Sequence, residues 1–130
     1  TIAMIEEHPL LGVGWGNYWL AYPEYNFFIE DADVVIFHAH DMYIHIPAEV
    51  GIPGGIFYFL FFFGQGVVSW RIWRRGKGTM KLFGLSGMLL VLSAAIDGIG
   101  DYALFSCPVS CCFWALSALC VSEERRGAAG

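Results

Sequence analysis

The sequence predicts an all-α integral membrane protein, with about three transmembrane helices preceded by an outer loop segment that carries short helices. Three observations predict it. Hydrophobic residues make up 57% of the 130-residue chain and charged residues 15%, which is too apolar for a soluble domain of this size. Three uncharged runs of near-bilayer length fill the second part of the chain. All seven Lys and Arg lie at or beyond Arg71, whereas eight of the twelve acids and all four His lie in residues 1–50. The net charge of −5 argues against a nucleic-acid partner, because phosphates need Lys and Arg. The chain opens on Thr1 with no signal peptide, so it reads as the C-terminal part of a larger polytopic protein.

Residues 1–51 form the outer segment. In "EEHPLLGVGWGNYWLAYPEY", Gly12, Gly14 and Gly16 make a G-x-G-x-G whose spacing is not the dinucleotide fingerprint. It reads as a flexible turn in which the backbone can approach something closely, either a simple tight turn or a ligand-contacting loop. Trp15, Tyr18, Trp19 and Tyr22 then fall at i, i+3, i+4 and i+7, one face of a short helix ended by Pro23 and Glu24. That aromatic face suits an anchor in the lipid bilayer interface, or a platform for sugar or lipid. Asn26–Phe37 has no helix period and reads as a loop, with Glu30, Asp31 and Asp33 as a solvated acidic turn.

"HAHDMYIHIPAEVGIPGG" (His38–Gly55) brings three histidines and two carboxylates up to the first apolar run. Asp41, His45 and Glu49 share a face if the segment is helical, although Pro47 interrupts such a helix. Three chemistries fit the residues. His38, His40, Asp41 and His45 offer a metal-ligand set. A histidine titrating near neutral pH offers acid–base catalysis. Plain solvation of a wet helix end is the third.

Ile52–Trp70 is uncharged over 19 residues, about 28 Å as a helix against a hydrocarbon core of ~30 Å. The second span covers about 82–100 and the third about 102–122, with Pro108 starting or kinking the latter. Arg71, Arg74, Arg75, Lys77 and Lys81 lie between the first two runs, and Arg125 and Arg126 follow the third. Basic loops stay in the cytoplasm, so residues 1–50 and the Asp97–Asp101 turn belong outside. Asp97 and Asp101 either border a site or cap that turn in water. Cys107, Cys111, Cys112 and Cys120 sit inside the third run, where small-residue helix packing is a better account than disulfides. Residues 123–130 read as a cytoplasmic, disordered tail.

These stretches resemble the O-antigen ligase and polymerase superfamily of bacterial envelope glycan enzymes. That family carries a His, then Asn, Ser or Gln, then nine residues, then Gly-x-x-Gly. Here His40 is followed by Asp41, nine residues, and Gly51-Ile52-Pro53-Gly54, with Asp41 as the departure. "HPLLGVGWGN" (His8–Asn17) is similar to the family's His-Pro-x-x-Gly-x-Gly element, and "IDGIGDY" and "FWALSAL" sit where the family has related stretches.

The resemblance implies a multi-pass glycosyltransferase of the bacterial inner membrane with its active face periplasmic. It would move a glycan from a polyprenyl-diphosphate carrier to an acceptor hydroxyl on lipid A-core, growing polysaccharide or protein. Ligase and polymerase are not separated. His40 takes the catalytic place, and Asp41, His45, Glu49, Gly51, Gly54, His8, Gly12, Gly14 and Trp15 the substrate-binding places. The resemblance implies no metal and no cofactor. Residues 1–70 contain no Lys or Arg to meet a diphosphate, so the fragment is expected to be inactive without upstream helices. The alternative is a transport-related membrane protein that shares the domain without transferase activity. The near absence of polar residues from the spans, with Gln65 the strongly polar one in the first, favours surface chemistry.

Overall fold

The computed structural model describes residues 1–26 and 35–129, with side chains up to residue 122. Much of the expected loop, including Glu30, Asp31 and Asp33, lies outside the described residues. Among the described residues there are helices and turns and no strand, as expected of an all-α chain. The helices are α1 (Ile2–Glu7), α2 (Tyr18–Ala21), α3 (Met42–Arg75), α4 (Thr79–Asp97) and α5 (Cys107–Ala129), with 3-10 turns at Tyr22–Tyr25 and Ala103–Phe105. They divide into two compact units.

The first unit comprises Thr1–Tyr58 and Gly98–Tyr102. Its core is Met4 of α1, Tyr18 of α2 and Ala48 of α3, ringed by Val13, Ala21, Tyr22, Tyr25, Ile36 and Ala39. The Thr1 hydroxyl and the Tyr18 phenol share a 2.6 Å hydrogen bond, and the Tyr25 phenol donates to Glu7 at 2.7 Å. The expected aromatic-faced helix is shorter than its period suggested. Trp15 lies before it in the glycine loop, and Tyr22–Tyr25 tightens to 3-10 around Pro23. The aromatic face is therefore divided. Tyr18 is buried and stacks on Tyr22 at 5.3 Å, while Trp15 and Trp19 are 66% and 43% exposed.

The second unit comprises Phe59–Asp97 and the chain from Ala103 onward. Phe62 stacks on Phe113 at 5.4 Å and Phe61 on Trp114 at 5.2 Å. Gly84 of α4 lies against the backbone of Ser69 and Trp73, a close approach that small residues allow between apolar helices. At the basic end, Arg74 lies over the Trp70 ring and Lys81 over the Trp73 ring, each 5.7 Å from the centroid.

Two helices, Met42–Arg75 and Thr79–Asp97, are long and apolar enough to cross a membrane, where the sequence pattern suggested about three. The apolar part of the third, Cys107–Ser122, is shorter, because the 3-10 turn and Ser106 take up the start of the expected 102–122 run. Pro108 falls in the first turn of α5, where its missing N–H costs no hydrogen bond. The helix also continues to Ala129, through most of the stretch expected to be a disordered tail. The four cysteines are free thiols. Cys120 is buried beside Gly87, as small-residue packing requires, whereas Cys107, Cys111 and Cys112 are exposed.

Candidate functional site

The site lies in the first unit, where three pieces of backbone meet at the start of α3. Helix α3 begins at Met42, ten residues before the apolar run, and contains both Pro47 and Pro53. At Gly51 its backbone leaves the helical region (φ 75°, ψ 170°), so the element is two helices joined at a break. The break frees helix carbonyls. Pro53 has no N–H to offer Glu49, and the Ile52 N–H turns instead to the Pro9 carbonyl at 2.8 Å.

The glycine loop supplies the missing donors. Val13 N–H donates to the Ala48 carbonyl and Gly14 N–H to the Glu49 carbonyl, both at 2.9 Å. Backbone approaches so closely here that a Cβ on Gly12 would collide with the Glu49 carbonyl, and one on Gly51 with the Leu10 carbonyl. Both glycines also have positive φ. The turn read from the G-x-G-x-G spacing thus packs against the helix break, and the two glycine elements form one interlocked joint.

The N-terminus of α3 is fully satisfied. The Asp41 carboxylate accepts from Tyr43 N–H at 2.8 Å and from Ile44 N–H at 3.2 Å, while its carbonyl accepts from His45 N–H. Met42 N–H donates to the Gly98 carbonyl at 2.8 Å. That last bond pins the Gly98–Tyr102 turn beside the histidines.

His45 and Glu49 point inward and are 1% and 2% exposed. His45 Nδ1 accepts from Ala39 N–H at 3.4 Å, so its other nitrogen carries the proton and faces Glu49 Oε2 at 3.6 Å. Burial, with His38 adding, pushes the His45 imidazolium down to about 4, so this ring is neutral near pH 7. The pair is therefore a neutral imidazole beside a carboxylate, not an ion pair. Glu49 also accepts from Tyr18 N–H at 3.2 Å, which ties α2 to α3. The His45 ring packs between Tyr18 (4.8 Å) and Tyr102 (5.2 Å).

The exposed chemistry sits above this layer. His40 has φ 48°, a left-handed conformation rare for a residue with a Cβ and a recurrent mark of functional sites. Its N–H donates to His38 Nδ1 at 3.3 Å, and the two rings lie 4.3 Å apart. His40 Nδ1 lies 3.4 Å from Asp101 Oδ1. The Tyr102 N–H, 2.7 Å from Asp101 Oδ1, holds that carboxyl below its usual range, with His40 contributing. Burial, with His40 adding, lowers His38.

The structure thus sorts the sequence-predicted residues into roles. His40 is exposed and chemically available. Asp41 is a helix cap, His45 and Glu49 are buried support, and Gly12, Gly14 and Gly51 form the joint. Gly54 lies against the Val50 side chain, whereas His8 and Trp15 are exposed. The sequence offered His38 as a candidate metal ligand and Asp101 as a residue either bordering a site or capping its turn, and it did not join Asp101 to His40. Asp101 is 61 residues from His40, and no periodicity links them; the shared outer placement of the two turns was the available signal.

Residues 1–59 match the model of the O-antigen ligase family. Searches of curated proteins and of solved structures return no match. The matched stretch carries the His-Pro element, the His40-to-Gly54 element and the joint that locks them together. Over residues 1–59 the chain is similar to the O-antigen ligase family.

Proposed function

We propose that this chain is part of a multi-pass membrane glycosyltransferase that passes a glycan from a polyprenyl-diphosphate carrier to an acceptor hydroxyl at the outer face of the bacterial inner membrane. The carrying observation is the exposed His40, held at φ 48° with Nδ1 3.4 Å from the Asp101 carboxylate. With Nδ1–H directed at Asp101, Nε2 of this exposed ring keeps its lone pair. It accepts the acceptor hydroxyl's proton as the oxygen attacks the anomeric carbon and the bond to the diphosphate breaks. Asp101 acts through His40 as a positioning residue. Cations that meet the leaving diphosphate come from outside residues 1–70, which hold no Lys or Arg. The acceptor is a lipid A-core sugar, a growing polysaccharide or a protein hydroxyl.

The test uses full-length protein in membranes with a polyprenyl-diphosphate-linked glycan. Wild type and His40→Ala are compared at equal protein levels, with and without a chelator. The expected result is a loss of about 10²–10⁴-fold in transfer for His40→Ala and no loss of wild-type transfer with the chelator. Undiminished transfer by His40→Ala removes His40 from the mechanism. Absence of transfer by wild type with a range of donors favours the transport-related alternative.

A further inference from the structure

We propose that His38, His40 and Asp101 form a three-ligand site for a borderline transition-metal dication such as Zn²⁺, and that its occupancy blocks the reaction. The blocking half rests on the reading of His40 as the base; the binding half does not. One ligand atom from each residue lies within 4.8 Å of the others. In a tetrahedral site with metal bonds of about 2.0–2.1 Å, ligand atoms stand about 3.4 Å apart. His40 Nδ1 and Asp101 Oδ1 already have that separation, at 3.4 Å. Turning the partly exposed His38 ring closes the rest.

Two ligands are held in place before any metal arrives. The Tyr102 N–H fixes Asp101, and the positive φ of His40 places its ring beside that of His38. Two imidazoles and one carboxylate suit Zn²⁺ with a fourth position left to water. The sequence-based metal set of His38, His40, Asp41 and His45 differs at half its members. Asp41 is committed to the helix cap, and His45 is buried against Glu49.

The inhibition follows from which nitrogen the metal takes. A metal on His40 Nδ1 leaves the ring's one proton on Nε2. That nitrogen then donates a hydrogen bond and no longer accepts the acceptor's proton. The metal also draws Asp101 away from its positioning role. It is thus an inhibitor of the site and not a cofactor.

The experiment uses chelator-stripped full-length protein in detergent. Co²⁺ serves as the spectroscopic probe, and Zn²⁺ is titrated into the transfer assay. Wild type is expected to bind one Co²⁺ with tetrahedral visible bands, and His38→Ala to weaken that binding at least about tenfold. Zn²⁺ is expected to suppress wild-type transfer relative to the metal-free rate, and to suppress His38→Ala less relative to its own metal-free rate. Asp101→Asn provides a second variant if His38→Ala fails to fold, with the same loss of Co²⁺ binding. Failure of folded wild type to show the Co²⁺ bands overturns the site. Binding without inhibition of an active wild type overturns the blocking role. A wild type that binds Co²⁺ but never transfers glycan supports the site while counting against the glycosyltransferase reading.

Discussion

Asp41 stands where the family motif has Asn, Ser or Gln, and its environment explains why a carboxylate is accepted there. Its Oδ1 receives two N–H groups from the first turn of α3, the work that Asn and Ser also do at a helix N-cap. A negative charge at that end also interacts favourably with the helix dipole. The cap gives the Asp41 carboxylate a structural task, and on that basis it is expected not to bind substrate. Asp41→Asn is expected to change stability by no more than a few tenths of a kcal/mol and to leave KM for the donor unchanged, whereas Asp41→Ala costs about 1 kcal/mol. Thermal unfolding in detergent and donor-saturation kinetics read the two effects. A raised KM in Asp41→Asn with unchanged stability would return Asp41 to the substrate side.

At the scale of elements, the candidate site rests on a helix that its own sequence interrupts. Pro53 removes a donor, Gly51 takes a positive φ, and the freed carbonyls of Ala48 and Glu49 bind the glycine loop. Gly51→Ala puts a Cβ into the Leu10 carbonyl and a side chain at positive φ. It is expected to cost at least about 2 kcal/mol, read as a fall in the thermal midpoint. Gly64→Ala is the control, since nothing lies within 4 Å of a Cβ there. Equal, small effects at both positions would mean that the joint does not hold the first unit together. This joint was half legible. The glycine spacing and Pro53 announce a close approach and a free carbonyl, but sequence does not say that each serves the other. The pairing is made by backbone atoms, which carry no residue-specific signal. His40 was legible through its motif, and Asp101 was not assigned to it. The turn that carries Asp101 is tied to α3 by long-range contacts, among them Met42 N–H to the Gly98 carbonyl and the Tyr102 ring on His45.

At the scale of the whole molecule, the charge pattern predicts faces. The basic stretch from Arg71 to Lys81 is expected in the cytoplasm, and the turn from Asp97 to Asp101 outside. Because Gly98–Tyr102 belongs to the same unit as His40 and Asp101 touches its ring, labelling that turn reports the face on which the chemistry sits. In a background with Cys107, Cys111, Cys112 and Cys120 changed to Ser, Gly100→Cys is a mild probe, since nothing lies within 4 Å of a Cβ there. A membrane-impermeant maleimide applied from the outer face is expected to label Gly100→Cys in intact membranes. The exposed Lys77→Cys should label only after permeabilisation. The opposite pattern would place His40 on the cytoplasmic side. The outer-face transfer reaction would then fall, whatever the activity of His40 variants, because the carrier-linked glycan it requires would lie across the bilayer from its base.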